Sequence, residues 1–145
     1  MDKTFHVLHF RLMNMLACMD IKYVIKVLPL MRLEPVPLGP IYTAGMMNLA
    51  GKSIPVLDLA MMLNLPRTES YTMNMPVLLC ANGAEEIGVI VDAVSGLALA
   101  SETEIQVNDE FKHASSPFSG TINFDSRLSF LLNMQNLFKG VGASE

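Results

Sequence analysis

The stretch Gly45-Met46-Met47-Asn48-Leu49-Ala50-Gly51-Lys52-Ser53-Ile54-Pro55-Val56-Leu57-Asp58 reads as strand, tight turn, strand and helix cap. It can be laid without a gap on Gly120-Thr121-Ile122-Asn123-Phe124-Asp125-Ser126-Arg127-Leu128-Ser129-Phe130-Leu131-Leu132-Asn133. Gly45 then meets Gly120, Asn48 meets Asn123, Lys52 meets Arg127, and the capping Asp58 meets Asn133. The residues that follow also agree, with Met62 over Leu137 and Leu63 over Phe138. A unit that repeats with turn and cap in register predicts two related small barrels.

Short apolar runs between turn residues fill the rest of the chain. Residues 5–12 alternate partly, which predicts a strand with Leu8, Phe10 and Leu12 on one face and His9 and Arg11 on the other. Residues 53–58, 76–80 and 88–94 read as strands that are apolar on both faces. Many short strands with frequent turns suggest barrels or a sandwich. Helices are expected only as short pieces, each opened by an Asx side chain that accepts hydrogen bonds from the free N–H groups of the first turn. Asp20 precedes residues 21–27, which stop before Pro29. Asp58 precedes residues 59–64, which stop before Pro66, and Asn133 precedes residues 134–138, which stop at Gly140. The expected class is all-β with a few short helices.

The chain has 145 residues, enough for one domain or two small intertwined halves. Folding should bury roughly 70% of the unfolded surface, so neither a metal nor a disulfide is needed. Charged residues make up only 17%, which leaves little surface devoted purely to solvation. The net charge of −4 and the lack of any Lys/Arg cluster argue against nucleic acid as a partner, because phosphate neutralisation supplies most of that affinity. Cys18 and Cys80 fit no metal or redox spacing and read as small buried hydrophobes in a reducing compartment. No basic region leads into an apolar run at the N-terminus, and charge-free stretches such as residues 35–51 are broken by Pro and Gly. A cytoplasmic protein without direct membrane insertion is expected.

Residues able to carry chemistry are sparse. His6 and His9 are three apart, which on a strand sends them to opposite faces, and His113 lies in a polar loop. Asp92, in the apolar run 88–94, is the most interesting carboxylate, since a charge there is costly unless paired. It has no companion acid or base nearby in sequence, and Asp58 is explained by capping. No Gly-x-Ser-x-Gly and no glycine-rich phosphate loop occurs. The expectation is a non-enzyme with no catalytic, cofactor or metal residues. Of the 12 methionines most read as core filler, with Met46 and Met47 as exceptions because they flank the candidate binding turn.

The pattern resembles the CheW family of chemotaxis coupling proteins. Val24-Ile25-Lys26-Val27 stands for its V-x-E-V, Pro35-Val36-Pro37 for its Pro-rich turn, and Asn48-Leu49-Ala50-Gly51 with Pro55-Val56-Leu57-Asp58-Leu59 for its N-L-R-G and P-V-x-D-L. Gly88-Val89-Ile90-Val91-Asp92-Ala93-Val94 stands for its G-x-x-V-D-x-V. The resemblance covers roughly residues 5–138. It implies a single domain over residues 1–145, made of two intertwined SH3-like five-stranded β-barrels sharing a hydrophobic core. It also implies a scaffold joining the cytoplasmic tip of a methyl-accepting receptor to the regulatory domain of a CheA-type histidine kinase. The partner-binding residues so implied are Val24, Lys26, Val27, Gly45, Met46, Met47, Asn48, Ala50, Gly51, Lys52 and Gly88. Two of them depart from the family: Ala50 replaces its Arg, losing a planar fork of donors, and Lys26 replaces its Glu, reversing a charge. Rival readings are a divergent CheW-like scaffold or decoy with changed partners that no longer couples the kinase, and a small barrel enzyme or ligand-binding protein.

Overall fold

A computed structural model describes residues 3–35, 43–65, 67 and 70–142; Val36 and Pro37 of the expected Pro-rich turn, and the helix-ending Pro66, lie outside them. Among the described residues the chain runs β1 (Thr4–Leu12), β2 (Met15–Asp20), β3 (Val24–Pro29), β4 (Thr43–Leu49), β5 (Lys52–Asp58), α1 (Leu59–Met62), β6 (Pro76–Asn82), β7 (Glu85–Ile90), β8 (Ala93–Ser101), β9 (Phe118–Phe124), β10 (Arg127–Leu132) and α2 (Met134–Gly142). The strands form two five-stranded sheets, in the orders β3-β6-β7-β5-β4 and β8-β1-β2-β10-β9. Each sheet belongs to one compact unit. Residues 24–93 make the first, and the segments on either side of them make the second.

The repeat read from the sequence is present residue for residue. In β4–β5, Leu49 pairs with Lys52, Asn48 with Ser53, Met47 with Ile54 and Gly45 with Val56. In β9–β10 the corresponding pairs are Phe124 with Arg127, Asn123 with Leu128, Ile122 with Ser129 and Gly120 with Leu131. Both hairpins then slip by one residue at the same place, beyond Gly45 and beyond Leu131. Both turns hold two residues at positive φ, Ala50 at 51° with Gly51 at 84°, and Asp125 at 49° with Ser126 at 64°. That conformation matches the twist of a two-residue hairpin.

A second correspondence was not read from the sequence. Hairpins β1–β2 and β6–β7 share their register, with Val7 opposite Asp20 as Val77 is opposite Ile90. Their turns agree too, since Met13 at φ 57° and Gly83 at φ 65° each follow the first strand. In one unit this hairpin follows the helix in the chain; in the other it comes before everything else. The two units are therefore circular permutations of one arrangement.

Each sheet is open between its terminal strands, and a single bridged pair crosses the gap. Glu34 exchanges both backbone hydrogen bonds with Met46, each 2.8 Å, and Gln106 does the same with Thr121, each 2.9 Å. Both crossings pass over a glycine. A Cβ at position 45 would fall 2.7 Å from the Glu34 carbonyl oxygen, and one at position 120 would fall 2.6 Å from that of Gln106. This is the physical reason for the two glycines that anchor the sequence repeat. Inside the residue 24–93 unit, Leu30, Met47, Ile54, Val56, Val77, Leu79 and Ile90 form a core; in the other, Val7, Cys18, Ala100, Ile122 and Leu131 do. Both cysteines are free and buried, and burial pushes their thiols up, to about 11 for Cys18 and about 12 for Cys80.

Several local expectations are corrected. The helix expected over residues 21–27 is one 3-10 turn, Ile21–Tyr23, because the β-branched Val24, Ile25 and Val27 join a strand instead. The Asp58 helix stops at Met62, where Asn64 turns left-handed at φ 59° and Leu65 donates back to the Ala60 carbonyl. Gly140 does not end α2, which continues to Gly142. Strand β7 ends at Ile90, so Asp92 sits in the link before β8 and not within a strand. Of the two residues read as one face of β1, Arg11 is exposed and His9 is buried. It is 1% exposed, its Nδ1 is 2.7 Å from Ser129 Oγ, and its ring stacks on Phe124 at 3.9 Å.

Two outcomes are expected. Gly45→Ala and Gly120→Ala should each cost about 1–3 kcal/mol in urea denaturation, because backbone must move to admit the methyl group; an unchanged midpoint would show that the crossing does not need glycine. Desolvation lowers the His9 pKa from 6.5 and outweighs the opposing attraction of Asp125. Unfolding below pH 6.5 then takes up a proton at this ring, so stability falls as pH falls. His9→Phe should lose this component of the pH profile between pH 7 and 5, and superimposable profiles would remove the assignment.

Candidate functional site

All eleven partner-binding residues implied by the resemblance fall in the residue 24–93 unit. They lie on its two terminal strands, the hairpin next to one of them, and β7. On β3, Lys26 and Val27 are exposed and Val24 is half-buried. Sequence reading missed Ile25, which is 52% exposed beside Val27 at 48%. Two branched apolar side chains in water on a terminal strand are unusual, because such edges are ordinarily protected by charge or cover. Lys26 and Pro29 are the protective residues on this one.

At the other edge, Asn48, Ala50, Gly51 and Lys52 project at the β4–β5 turn and are exposed, while Met46 is half-buried. Two of these have local duties. Asn48 Oδ1 accepts from the Gly51 N–H at 3.1 Å, which holds the turn, and Lys52 Nζ lies 2.7 Å from Glu86 Oε1. Gly45, Met47 and Gly88 are buried. Met47 is 1% exposed and packs in the core, so its flanking of the turn in sequence does not put it on the surface. A Cβ on Gly88 would lie 3.0 Å from Val77 Cγ1 and 3.2 Å from Val56 Cγ2, so this glycine serves packing. Strand alternation would have separated Met47 from its neighbours Met46 and Asn48.

The structure assembles one polar cluster that the sequence did not bring together. Asp58, 0% exposed, does cap α1, accepting from Ala60 N at 3.0 Å and Met61 N at 3.4 Å. The same carboxylate takes a two-pronged bond from Arg67, Nε to Oδ2 at 2.7 Å and Nη2 to Oδ1 at 3.0 Å. Arg67 Nη1 reaches Asp92 Oδ1 at 3.0 Å, and Tyr71 Oη donates to Asp58 Oδ2 at 2.7 Å. Asp92 thus has a partner after all, brought from 25 residues away. Burial alone would lower the Arg67 pKa, but its bonds and attraction to the two carboxylates outweigh burial and raise it. Burial, then the Asp58 carboxylate, pushes the Tyr71 phenol up. A fixed cation between engaged carboxylates, with a phenol held protonated, is suited to holding structure and not to moving protons.

His9 and Ser129 stand at the spacing of a nucleophile and its base, yet both are at most 1% exposed, which leaves no room for a substrate. No group of three or more His, Cys, Asp or Glu that could hold a metal occurs among the described residues. No helix among them is long and apolar enough to cross a membrane.

Asp58→Ala should cost about 3 kcal/mol in chemical denaturation, well above the roughly 1 kcal/mol of a cap alone, because it strands a buried Arg67 and Tyr71. Asp58→Asn, which keeps the cap, should fall between. A loss near 1 kcal/mol for the Ala variant would mean that the cluster contributes nothing beyond capping.

The arrangement has close relatives. A family model described as a CheW-like domain matches residues 6–141. The chain is 24% identical to the chemotaxis protein CheW of Thermotoga maritima over 143 residues, 99% of this chain and 93% of that one. It is 24% identical to the chemotaxis protein CheW of Rhizobium meliloti, over 89% of this chain and 84% of that one. Among solved structures it is similar to the scaffolding protein TtCheW from Thermoanaerobacter tengcongensis, with a TM-score of 0.80 at 22% identity, over 91% of this chain and 86% of that one. The resemblance implied two SH3-like five-stranded barrels; the fold observed is all-β and SH3-like, but its two five-stranded sheets are not closed into barrels, and with a family match spanning nearly all of its length, the chain belongs to the CheW-like domain family.

Proposed function

We propose that this protein is a non-catalytic adaptor that joins the cytoplasmic tip of a methyl-accepting chemoreceptor to the regulatory domain of a CheA-type histidine kinase. It does this in the cytoplasm, reaching membrane-bound receptor arrays through those partners. The observation that carries the reading is the exposed apolar edge of β3, where Ile25 and Val27 stand about half in water beside Lys26. Apolar surface left on a terminal strand gives a partner both hydrophobic contact and backbone groups to bond. The family membership supports the class of partner, and the two free, buried cysteines suit a reducing compartment.

The second reading, a scaffold with changed partners, rests on Lys26 and Ala50. Both are exposed, one on each edge of the sheet, so each is available to a partner. Ala50 occupies a left-handed turn position at φ 51°, which Arg tolerates no worse than Ala does. The two readings therefore differ in interface charge and not in fold.

Binding to a purified kinase regulatory domain and to a receptor-tip fragment, measured by calorimetry at fixed ionic strength, separates them. We expect weak binding by the unaltered protein, because a partner shaped for a Glu would face Lys26 unmatched. Lys26→Glu combined with Ala50→Arg should tighten binding tenfold or more, and more than either change alone. Tight binding of both partners by the unaltered protein, weakened by the double change, would make it an ordinary coupling adaptor. Binding of neither partner by any variant would sink the adaptor reading itself.

A further inference from the structure

Strand β8 (Ala93–Ser101) is a terminal strand of its sheet, with β1 on one side and, among the described residues, no strand paired on the other. The bridge that spans the gap of this sheet is made beyond β8, by Gln106. In nine residues β8 holds no Lys, Arg, Asp, Glu or Pro. Charged residues and Pro are what ordinarily keep a bare edge from pairing with another chain. The terminal strand β3 carries both kinds, in Lys26 and Pro29. On the unguarded β8, Leu97 is 57% exposed and Leu99 61%.

Alternation gives the two faces of this strand different tasks. Gly96, Ala98 and Ala100 share the inward face and are small. Ala100 joins the core, and a Cβ on Gly96 would lie 3.3 Å from Phe124 Cζ. Ser95, Leu97, Leu99 and Ser101 share the other face, and the first three are exposed. From Ser95 the strand reads Ser-Gly-Leu-Ala-Leu-Ala-Ser, so both faces are close to palindromic about Ala98. The backbone divides in the same way. At the end of the strand the Glu102 N–H donates to the Lys3 carbonyl at 2.9 Å, on the β1 side. An antiparallel ladder alternates, so residues 95, 97, 99 and 101 direct their N–H and C=O groups away from β1. The Ser101 N–H is taken by Glu104 Oε1 at 2.7 Å, which ends the open run there.

We propose that β8 pairs antiparallel with β8 of a second copy of this chain, about a twofold axis at Ala98. The occupant is a second copy because a twofold contact needs a patch complementary to itself, and a palindromic strand is one. In this register Leu97 lies opposite Leu99 of the second copy, and Ser95 opposite its Ser101. Each facing Leu97–Leu99 pair exchanges both backbone bonds, and no charged residue lies in the paired segment. Moving the axis to Leu97 sets Ser95 against Leu99 and brings Asp92 opposite Glu102, so the alternative register joins unlike side chains and like charges. One strand from each copy is a smaller contact than permanent complexes use, so the dimer is transient and forms at high concentration. It lies in the unit that holds none of the eleven partner-binding residues, and it stands if the receptor and kinase reading fails.

Sedimentation equilibrium of the intact protein, at concentrations up to about 1 mM, should show reversible exchange between monomer and dimer. Amide signals of the unaltered, isotope-labelled protein should move on dilution, with the largest shifts in residues 94–100. Leu97→Lys with Leu99→Lys changes only exposed side chains and should weaken self-association tenfold or more, as should Leu97→Glu with Leu99→Glu. An equimolar mixture of those two variants should dimerise again. Leu97→Lys with Leu99→Glu in one chain should also dimerise, because the axis at Ala98 sets Lys against Glu. Circular dichroism checks that each variant is folded, and the dilution shifts need no variant. A monomer at every concentration, dilution shifts away from β8, or a dimer indifferent to the Lys pair would overturn the proposal. So would a mixture that stays monomeric, or a Lys and Glu chain that does.

Discussion

A five-stranded sheet this small has two edges and too little area to bury a core by lying flat, so its ends must be tied together. Here each sheet stays open between its terminal strands, and one backbone pair spans the gap. Glu34 and Met46, and in the other unit Gln106 and Thr121, each exchange a complete pair of hydrogen bonds across the gap. The crossing chain passes so close to Gly45 and Gly120 that any side chain would collide with a carbonyl oxygen. With those contacts in place, the alternate residues Met47, Ile54 and Val56 point into a shared interior, and Asp58 is delivered to the start of α1. The glycines are therefore conditions of these two backbone crossings.

The parts of this arrangement that sequence reading reaches are those with local causes. A paired turn needs two residues at positive φ, and an Asx cap needs an oxygen two or three residues before the N–H groups it serves. Both requirements leave marks at fixed spacing, which is why residues 45–58 and 120–133 could be aligned without a structure. The correspondence of β1–β2 with β6–β7 leaves no such mark. It is displaced by the permutation, and Met13 does at one turn what Gly83 does at the other. Core strands that are apolar on both faces also carry no alternation from which to read direction. His9 is legible only as facing away from Phe10; that it is buried and stacked on Phe124 leaves no local mark.

The candidate site was legible in outline and blurred in detail. Motif spacing located the β3 edge and the β4–β5 turn, yet it weighted all residues within a motif alike. Alternation then sorts them: Asn48 and Ala50 face outward while Gly45 and Met47 face inward. Ile25 was passed over because it occupies a variable position of the V-x-E-V pattern, though its exposure makes it one of the more available apolar groups on that strand. The Asp58–Arg67–Asp92 cluster could not be read at all. Its members are 9 and 25 residues apart, and nothing in the spacing of a single cation among loop residues indicates which carboxylates it joins.

That cluster also shows how a repeated fold acquires different surfaces from one geometry. An N-cap needs only an oxygen, so Asp58 and Asn133 satisfy it equally, Asn133 Oδ1 accepting from Asn136 N at 3.0 Å. The difference between them lies in the charge left over after capping is satisfied. A carboxylate at a buried cap must be neutralised, and the chain supplies Arg67 and Tyr71 to do so, which ties the segment after α1 to its own unit. A carboxamide carries no such demand, so no cation is required beside Asn133. At a position fixed by backbone geometry the two units thus differ in whether the cap carries a charge that the following segment must neutralise, while register, turn and cap stay the same.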